Sequence, residues 1–360
     1  MKIIHCISAP AAGGAEIYVK DLALSMSNKG HDVHICFLSH AKDIGRDEVF
    51  ENTFLDELVS NQVSFSFIEG NARKKPWLGI LHLKELVKEF NADILHCHLY
   101  YMAIFSLCVT QVKVIYTHHN IKLNASRFIY KLLDTKVNAY IGICKSCTDL
   151  LKTVTNKNVI RIDNAVNEKK ISKRKFITNT QNYGLSTIKI AMVGGLIAQK
   201  NYLLVIEAAS FLKDLDFEIT IAGEGILRSS LIDEVNKFEL QDYIKFIGNC
   251  SDVPKLLSNV DLFAMSSAWE GLPISLIEAT LTGLPLLVTN VGGCAEIIHN
   301  CQNGVVVDDL DPQSYAKALR VLITSREHRE FYANNSLIFS NNYKIEHSVK
   351  KHLDVYGNIA

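Results

Sequence analysis

The sequence predicts an α/β protein of two domains, each built on a parallel sheet with helices on both faces. Three observations predict it. Short runs rich in Val, Ile and aromatic residues alternate along the whole chain with longer stretches of helical periodicity, and strands that alternate with helices imply parallel pairing. The 360 residues exceed what one hydrophobic core usually supports, so two domains of roughly 150–200 residues are expected. A polar stretch from Asn167 to Ser186, rich in Lys, Asn and Thr, interrupts the pattern near the middle.

The elements follow in order. In the first half the strands are Lys2–Ser8, Val33–Leu38, Val63–Ile68, Asp93–His96, Val112–Thr117, Ala139–Ile143 and Val159–Ile162. Between the first two, Tyr18, Leu22, Ser25 and Met26 fall on one helical face, and Gly30 stops that helix. The second half repeats the plan with Ile188–Val193, Glu218–Ala222, Ile244–Ile247, Asp261–Ala264, Pro285–Val288 and Val305–Val307. The helix near Tyr202–Leu212 puts Leu204, Ala208, Phe211 and Leu212 on one face. The expected boundaries are a first domain 1–166, a linker 167–186 and a second domain 187–342, with a last helix near 343–360.

Composition narrows the function classes. With 48% hydrophobic and 21% charged residues the chain reads as soluble and globular. Lys+Arg and Asp+Glu both total 38, without the basic excess of a duplex nucleic-acid binder. Ile3 to Ile7 reads as a strand rather than a signal peptide. The apolar stretch Leu99 to Tyr116 contains Gln111 and Lys113, whereas a membrane span needs about 20 apolar residues. Without an export signal, the nine cysteines are expected as reduced thiols in a cytoplasmic protein. Cys144-Lys145-Ser146-Cys147 reads as two packed thiols, because no second pair stands at zinc-finger spacing.

The second half looks like a nucleotide site. Ligands of open α/β sheets bind beyond the carboxyl ends of the strands. The unusual loops fall there: Gly194-Gly195 to Lys200, Gly223-Glu224-Gly225, Gly248, Ser266 to Pro273 and Asn290 to Gly293. The densest segment is Glu270-Gly271-Leu272-Pro273-Ile274-Ser275-Leu276-Ile277-Glu278. Pro273 suits a first helical turn, Gly271 allows close backbone approach, and the free N–H groups of that helix start suit an anion. Glu278 then stands where a carboxylate can accept both hydroxyls of a ribose, and Glu270 can reach sugar hydroxyls. Lys200 follows a Gly-rich turn, where an ammonium meets a diphosphate. Gly194 to Asn201 is not a Walker loop, and Gly223-Glu224-Gly225 runs on to Arg228 where a dinucleotide fingerprint wants Gly, so ATPase and dehydrogenase readings weaken.

The first half offers a different chemistry. Gly13 and Gly14 join the first strand to the first helix as a flexible anion-binding loop. His96-Cys97-His98 ends one strand and Thr117-His118-His119-Asn120 another. An H-x-H at a strand end also suits a zinc hydrolase, but that reading needs eight βα units in one barrel, and the polar break divides two similar halves instead.

These motifs resemble the retaining glycosyltransferases of family 4, often called group 1 glycosyl transferases, over nearly the whole chain. The most specific element is E-G-[LF]-P-x-x-x-x-E at Glu270 to Glu278, and the Lys200 loop, Gly223-Glu224-Gly225, Phe246–Gly248 and Val291–Gly293 appear in the family's order. The resemblance implies the GT-B fold: two Rossmann-like domains facing each other across a cleft, the C-terminal helix packing back on the first. It implies that Glu278 binds the donor ribose, Glu270 the transferred sugar and Lys200 the diphosphate. Gly13, Gly14, Gly195, Gly223, Gly271, Leu272, Pro273 and Ile274 complete the donor site. His98 and His119 contact the sugar or acceptor, with His119 favoured over His118 by the T-x-H-[DN] pattern. The family usually has Arg where this chain has Gly195, so half of the usual diphosphate clamp is missing, and either Arg228 or a backbone nest compensates or activity is low.

The implied reaction is metal-independent, retaining transfer from a nucleotide-diphosphate sugar, a UDP-sugar being favoured, with no cofactor. Catalysis would rest on His119, His98, Glu270 and Lys200. The implied acceptor is a glycan or lipid-linked intermediate of bacterial cell-surface polysaccharide at the inner membrane face; Arg73-Lys74-Lys75-Pro76-Trp77 reads first as an exposed loop before a helix, with contact to anionic lipid as the alternative. The alternatives are a nucleotide-sugar epimerase of the same fold, a non-catalytic sugar-nucleotide module and the His-ligated metal-dependent hydrolase.

Overall fold

The computed structural model describes residues 1–173 and 187–359. They form two compact units, Met1–Val166 with Lys344–Ala360, and Asn167–Tyr343.

In the first unit the strands are β1 (Lys2–Ile7), β2 (Asp32–Phe37), β3 (Ser64–Phe67), β4 (Ile94–Cys97), β5 (Lys113–His118), β6 (Val137–Gly142) and β7 (Val159–Arg161). They pair in the order β3-β2-β1-β4-β5-β6-β7, all parallel. The order turns round between β1 and β4, and such switch points open a crevice at the strands' carboxyl ends. Register sets His5 beside His96 there. The helix Gly14–Ser27 buries Tyr18, Leu22, Ser25 and Met26, the face its spacing predicts.

The last helix, Ile345–Ile359, belongs to this unit. The chain re-enters through Ile345 N–H to the Val166 carbonyl at 2.9 Å. The helix is then held by Tyr18 to Ser348 at 2.7 Å and by a Lys29–Glu346 ion pair. The Tyr18 bond joins two buried hydroxyls, so it stabilises rather than merely decorates the packing.

In the second unit the strands are β8 (Ile188–Val193), β9 (Phe217–Ala222), β10 (Ile244–Gly248), β11 (Leu262–Met265), β12 (Leu286–Thr289) and β13 (Gly304–Val307). Their order is β10-β9-β8-β11-β12-β13, again parallel, with the turn-round between β8 and β11. Ile190 and Met192 of β8, Ile219 and Ile221 of β9 and Leu262 of β11 meet Leu204, Ala208 and Leu212 in one core.

Phe211 corrects the sequence reading. The helix stops at Ser210, so Phe211 leaves the 3.6-residue spacing and is 49% exposed. Several strand ends shift by one or two residues, as at Val137, because pairing with the neighbour rather than local composition decides where a strand starts. Of the expected linker 167–186, residues 174–186 lie outside the described residues; Glu168–Lys170 forms a 3₁₀ turn capped by Asn167. Among the described residues no helix is long and apolar enough to cross a membrane.

Candidate functional site

At the carboxyl edge of the second sheet, three loops are stitched together by backbone bonds. Leu196 N–H reaches the Glu224 carbonyl at 2.9 Å, Leu227 N–H returns to Leu196 at 3.0 Å, and Gly223 N–H meets Gly248 at 2.8 Å. A side chain at Gly223 would stand 2.1 Å from the Gly194 carbonyl oxygen, so only glycine lets these loops meet. At Gly195 the same construction meets Glu224 O at 3.6 Å, which is ordinary contact.

Glu270 is the centre of this edge. It is 6% exposed, and its Oε1 accepts from Lys200 Nζ at 2.6 Å and Ser267 Oγ at 2.9 Å. Its Oε2 accepts from Gln199 Nε2 at 3.2 Å. A buried carboxylate keeps its charge only with such donors. Gly292, at φ +49°, packs beneath this segment so closely that a Cβ would lie 1.7 Å from Glu270 O, and Gly293 N–H donates to Gly271 O at 2.7 Å.

The helix Ile274–Thr282 starts from an extended Pro273 (φ −69°, ψ 130°), with Leu272 and Ile274 buried beneath it. Ser275 Oγ ties the helix start to the Val193 carbonyl at the end of β8. Glu278 follows within the helix and is half-buried. Lys200, Glu270, Gly271 and the helix start therefore converge, while Lys200 is already neutralised by Glu270. Arg228 Nε lies 3.3 Å from Glu224 Oε1 beside the Gly223 loop.

In the first unit, Gly13 caps the helix Gly14–Ser27 in an extended conformation. Glu16 from the helix's own first turn folds back beside this loop, taking a hydrogen bond from Ser8 Oγ, so that a Cβ at Gly13 would lie 2.1 Å from Glu16 Oε2. A carboxylate at this position serves the helix N-terminus as an anion would.

The histidines form a buried network at the carboxyl ends of β1, β4 and β5. His5 Nδ1 lies 3.1 Å from His98 Nε2, and His98 Nδ1 lies 3.0 Å from His119 Nε2. His96 bonds Tyr356 OH at 2.6 Å and Thr117 Oγ1 at 2.7 Å, tying the last helix to the sheet. Burial holds the rings neutral: His5 and His119 are both pushed down to about 3, and His96 and His98 fall well below the ordinary value. Neighbouring imidazoles add to the effect. His118 faces away, bonding Tyr116 OH and the Lys122 carbonyl.

His5, His352 and Tyr356 were not singled out from the sequence. The signal for His5 was a polar residue inside an apolar strand, and its partner became evident only through the β1–β4 register. His5, His96 and His98 bring ring nitrogens within 4.8 Å of one another, but both nitrogens of His96 are engaged by hydroxyls and both of His98 by imidazoles. The hydrolase alternative required one closed barrel; two open sheets replace it.

The Sγ atoms of Cys144 and Cys147 lie 3.3 Å apart in a buried site. Trp77 opens the helix Pro76–Phe90 and is 56% exposed, and the Arg73 guanidinium stands over the Tyr101 ring.

Two family models match. "Glycosyl transferases group 1" covers residues 174–337 and "Glycosyltransferase Family 4" covers residues 12–170. The N-acetyl-alpha-D-glucosaminyl L-malate synthase of Bacillus anthracis is 22% identical over 97% of this chain and 95% of its own. The UDP-Gal:alpha-D-GlcNAc-diphosphoundecaprenol alpha-1,3-galactosyltransferase of Escherichia coli is 25% identical over 68% of this chain and 70% of its own. Among solved structures, Anabaena Alr3699/HepE in complex with UDP-glucose superposes with a TM-score of 0.82 at 16% identity, covering 99% of this chain and 100% of the other. Sucrose-phosphate synthase from Thermosynechococcus elongatus gives 0.84 at 14% identity, covering 99% and 98%.

Proposed function

The chain belongs to the group 1, family 4 glycosyltransferases of GT-B fold, and from that premise we propose retaining, metal-independent transfer from a UDP-sugar. The acceptor is a glycan or a lipid-linked intermediate of cell-surface polysaccharide. The observation that carries this reading is the convergence of Lys200, Glu270 and the Gly271–Ile274 helix start on one edge of the second sheet.

The donor diphosphate lies against the N–H groups of that helix start, where the helix dipole favours negative charge. Lys200 leaves Glu270 to meet it, and Glu270, freed of that pair, accepts hydroxyls of the transferred sugar. Glu278 takes the ribose. As the sugar–phosphate bond breaks, these donors hold the charge that develops on the leaving oxygen. The acceptor hydroxyl attacks the same face of the anomeric carbon, and its proton passes to the departing phosphate oxygen. His119 orients the sugar as a neutral ring, held in place by its contact with His98, which agrees with the depressed basicity of both rings. Relatives named for diphosphoundecaprenol acceptors support the lipid-linked class. The reaction then takes place on the cytoplasmic side of the inner membrane, with Arg73, Lys74, Lys75 and Trp77 touching anionic lipid at about 1 kcal/mol per basic residue.

Thermal unfolding with UDP, GDP and ADP, with and without EDTA, tests the proposal. UDP at 100 times its dissociation constant should stabilise the protein by about 2.7 kcal/mol, equally with EDTA, and Glu278→Ala should abolish the shift. Stabilisation that requires a divalent metal would overturn metal independence, and no response to any nucleotide would overturn the donor site.

A further inference from the structure

We infer that the helix Arg127–Leu133 is a membrane anchor, its exposed apolar pair Phe128 and Leu132 entering an anionic bilayer beside Trp77 and Leu81 of the helix Pro76–Phe90. This contact extends the one proposed above through residues 73–77 and rests on the same reading of a lipid-linked acceptor. The two helices share a face of the first sheet. From β3 to β4 and from β5 to β6 the chain crosses in the same direction along the strand order, and right-handed crossovers then put both helices on one side. Leu83 and Val87 of one helix and Tyr130 and Leu133 of the other are buried in a common core.

The outward sides carry apolar groups that this core leaves over. Phe128 is 73% exposed, and Leu132 stands one turn further on the same face. Trp77 and Leu81 repeat that spacing and are exposed as well. Each helix follows a parallel strand, so Trp77 and Phe128, in the first turns, stand toward the carboxyl edge of the sheet. His98 and His119 lie at that same edge.

Charge identifies what covers this face. Residues 71–84 hold Arg73, Lys74, Lys75 and Lys84, and residues 119–133 hold Lys122, Arg127 and Lys131, all of them exposed. Neither segment contains Asp or Glu, although the whole chain balances 38 basic against 38 acidic residues. Exposed apolar groups among basic ones suit the boundary between acyl chains and anionic headgroups. A second copy docking through the same face would set base against base. Anchored in this way, the carboxyl ends of β4 and β5 stand against the headgroups, where the diphosphate of a lipid-linked acceptor lies.

The test is sedimentation of the intact protein with vesicles of phosphatidylglycerol or of phosphatidylcholine, for wild type and for two double variants, Phe128→Ser with Leu132→Ser and Arg127→Ser with Lys131→Ser. Wild type should bind the phosphatidylglycerol vesicles alone, and each double variant should bind them about tenfold more weakly. The substituted side chains are exposed, so the melting temperature and its rise with UDP should stay as in wild type. Brominated acyl chains should quench Trp77 emission, and Trp77→Phe, which keeps only Trp269, should lose that quenching. Binding indifferent to Phe128 and Leu132 would overturn the anchor and leave the contact through residues 73–77 standing. No binding to phosphatidylglycerol would overturn both, while the rise with UDP still reports the donor site by itself. A dimer in sedimentation equilibrium that Phe128→Ser dissolves would make the face an interface between copies and overturn the lipid contact.

Discussion

Lys200 Nζ and Glu270 Oε1 lie 2.6 Å apart although 70 positions separate them in sequence. The pair is largely enclosed, with side-chain exposures of 17% and 7%, so neither charge can be removed without cost to the other. Lys200→Ala should destabilise the protein by about 2 kcal/mol, because the Glu270 carboxylate stays buried with the neutral donors Ser267 and Gln199 in place of a cation. The same substitution should weaken UDP binding tenfold or more. Urea unfolding and nucleotide titration measure the two effects separately, and unchanged UDP affinity would remove Lys200 from the donor site.

Gly195 and Gly292 should answer substitution in opposite ways. Gly195 has ordinary space where a Cβ would stand, so Gly195→Arg should leave stability within about 0.5 kcal/mol and raise UDP affinity by restoring a second cation. Gly292 is left-handed and pressed against Glu270 O. Gly292→Ala should cost about 1–3 kcal/mol for conformation alone, more with the clash, and should displace Glu270. Calorimetry with UDP titration on both variants separates the outcomes.

Acid should unfold the first unit through its buried histidines. His5 falls to about 3 and His352 to about 4 in the fold, against about 6.5 in the unfolded chain. The unfolded chain therefore binds more protons below pH 6.5, so stability is full above that value and is lost as pH falls toward 4 and 3. Each such ring adds about 1.4 kcal/mol per pH unit to the slope. His352→Leu should flatten the slope of stability between pH 6.5 and 4, read by urea unfolding at stepped pH.

Tyr356→Phe should loosen the last helix. The hydroxyl bonds His96 Nδ1 at 2.6 Å inside a fully buried site, and its loss leaves that nitrogen without a partner, at about 1–3 kcal/mol. Hydrogen exchange should show faster opening of the helix Ile345–Ile359 than of the strands. Equal protection in both proteins would mean that the helix is held by its apolar face alone.

Much of the fold was legible because its signal is local. The runs around Ile3, Ile35, Ile190 and Val288 are apolar at a strand's length, and the helix between β1 and β2 repeats Tyr18, Leu22, Ser25 and Met26 at helical spacing. Phe211 shows the limit: its composition fits the helix, but the chain turns one residue earlier, and spacing alone does not carry where backbone hydrogen bonding ends. The glycines at 223 and 292 were legible as loop signals, whereas the carbonyls they approach were not.

The sequence by itself determined the alternation of strands and helices, the special loops at strand ends and the residue types that suit a nucleotide sugar. The tertiary structure alone decided that Lys200 neutralises Glu270, that Glu16 folds back on Gly13, and that His5, His98 and His119 line up ring nitrogen to ring nitrogen. The physical reason is that parallel strands distant in sequence are brought to about 4.8 Å spacing by crossover connections. Hydrogen bonds between their ends therefore depend on strand order and register, which no local pattern encodes.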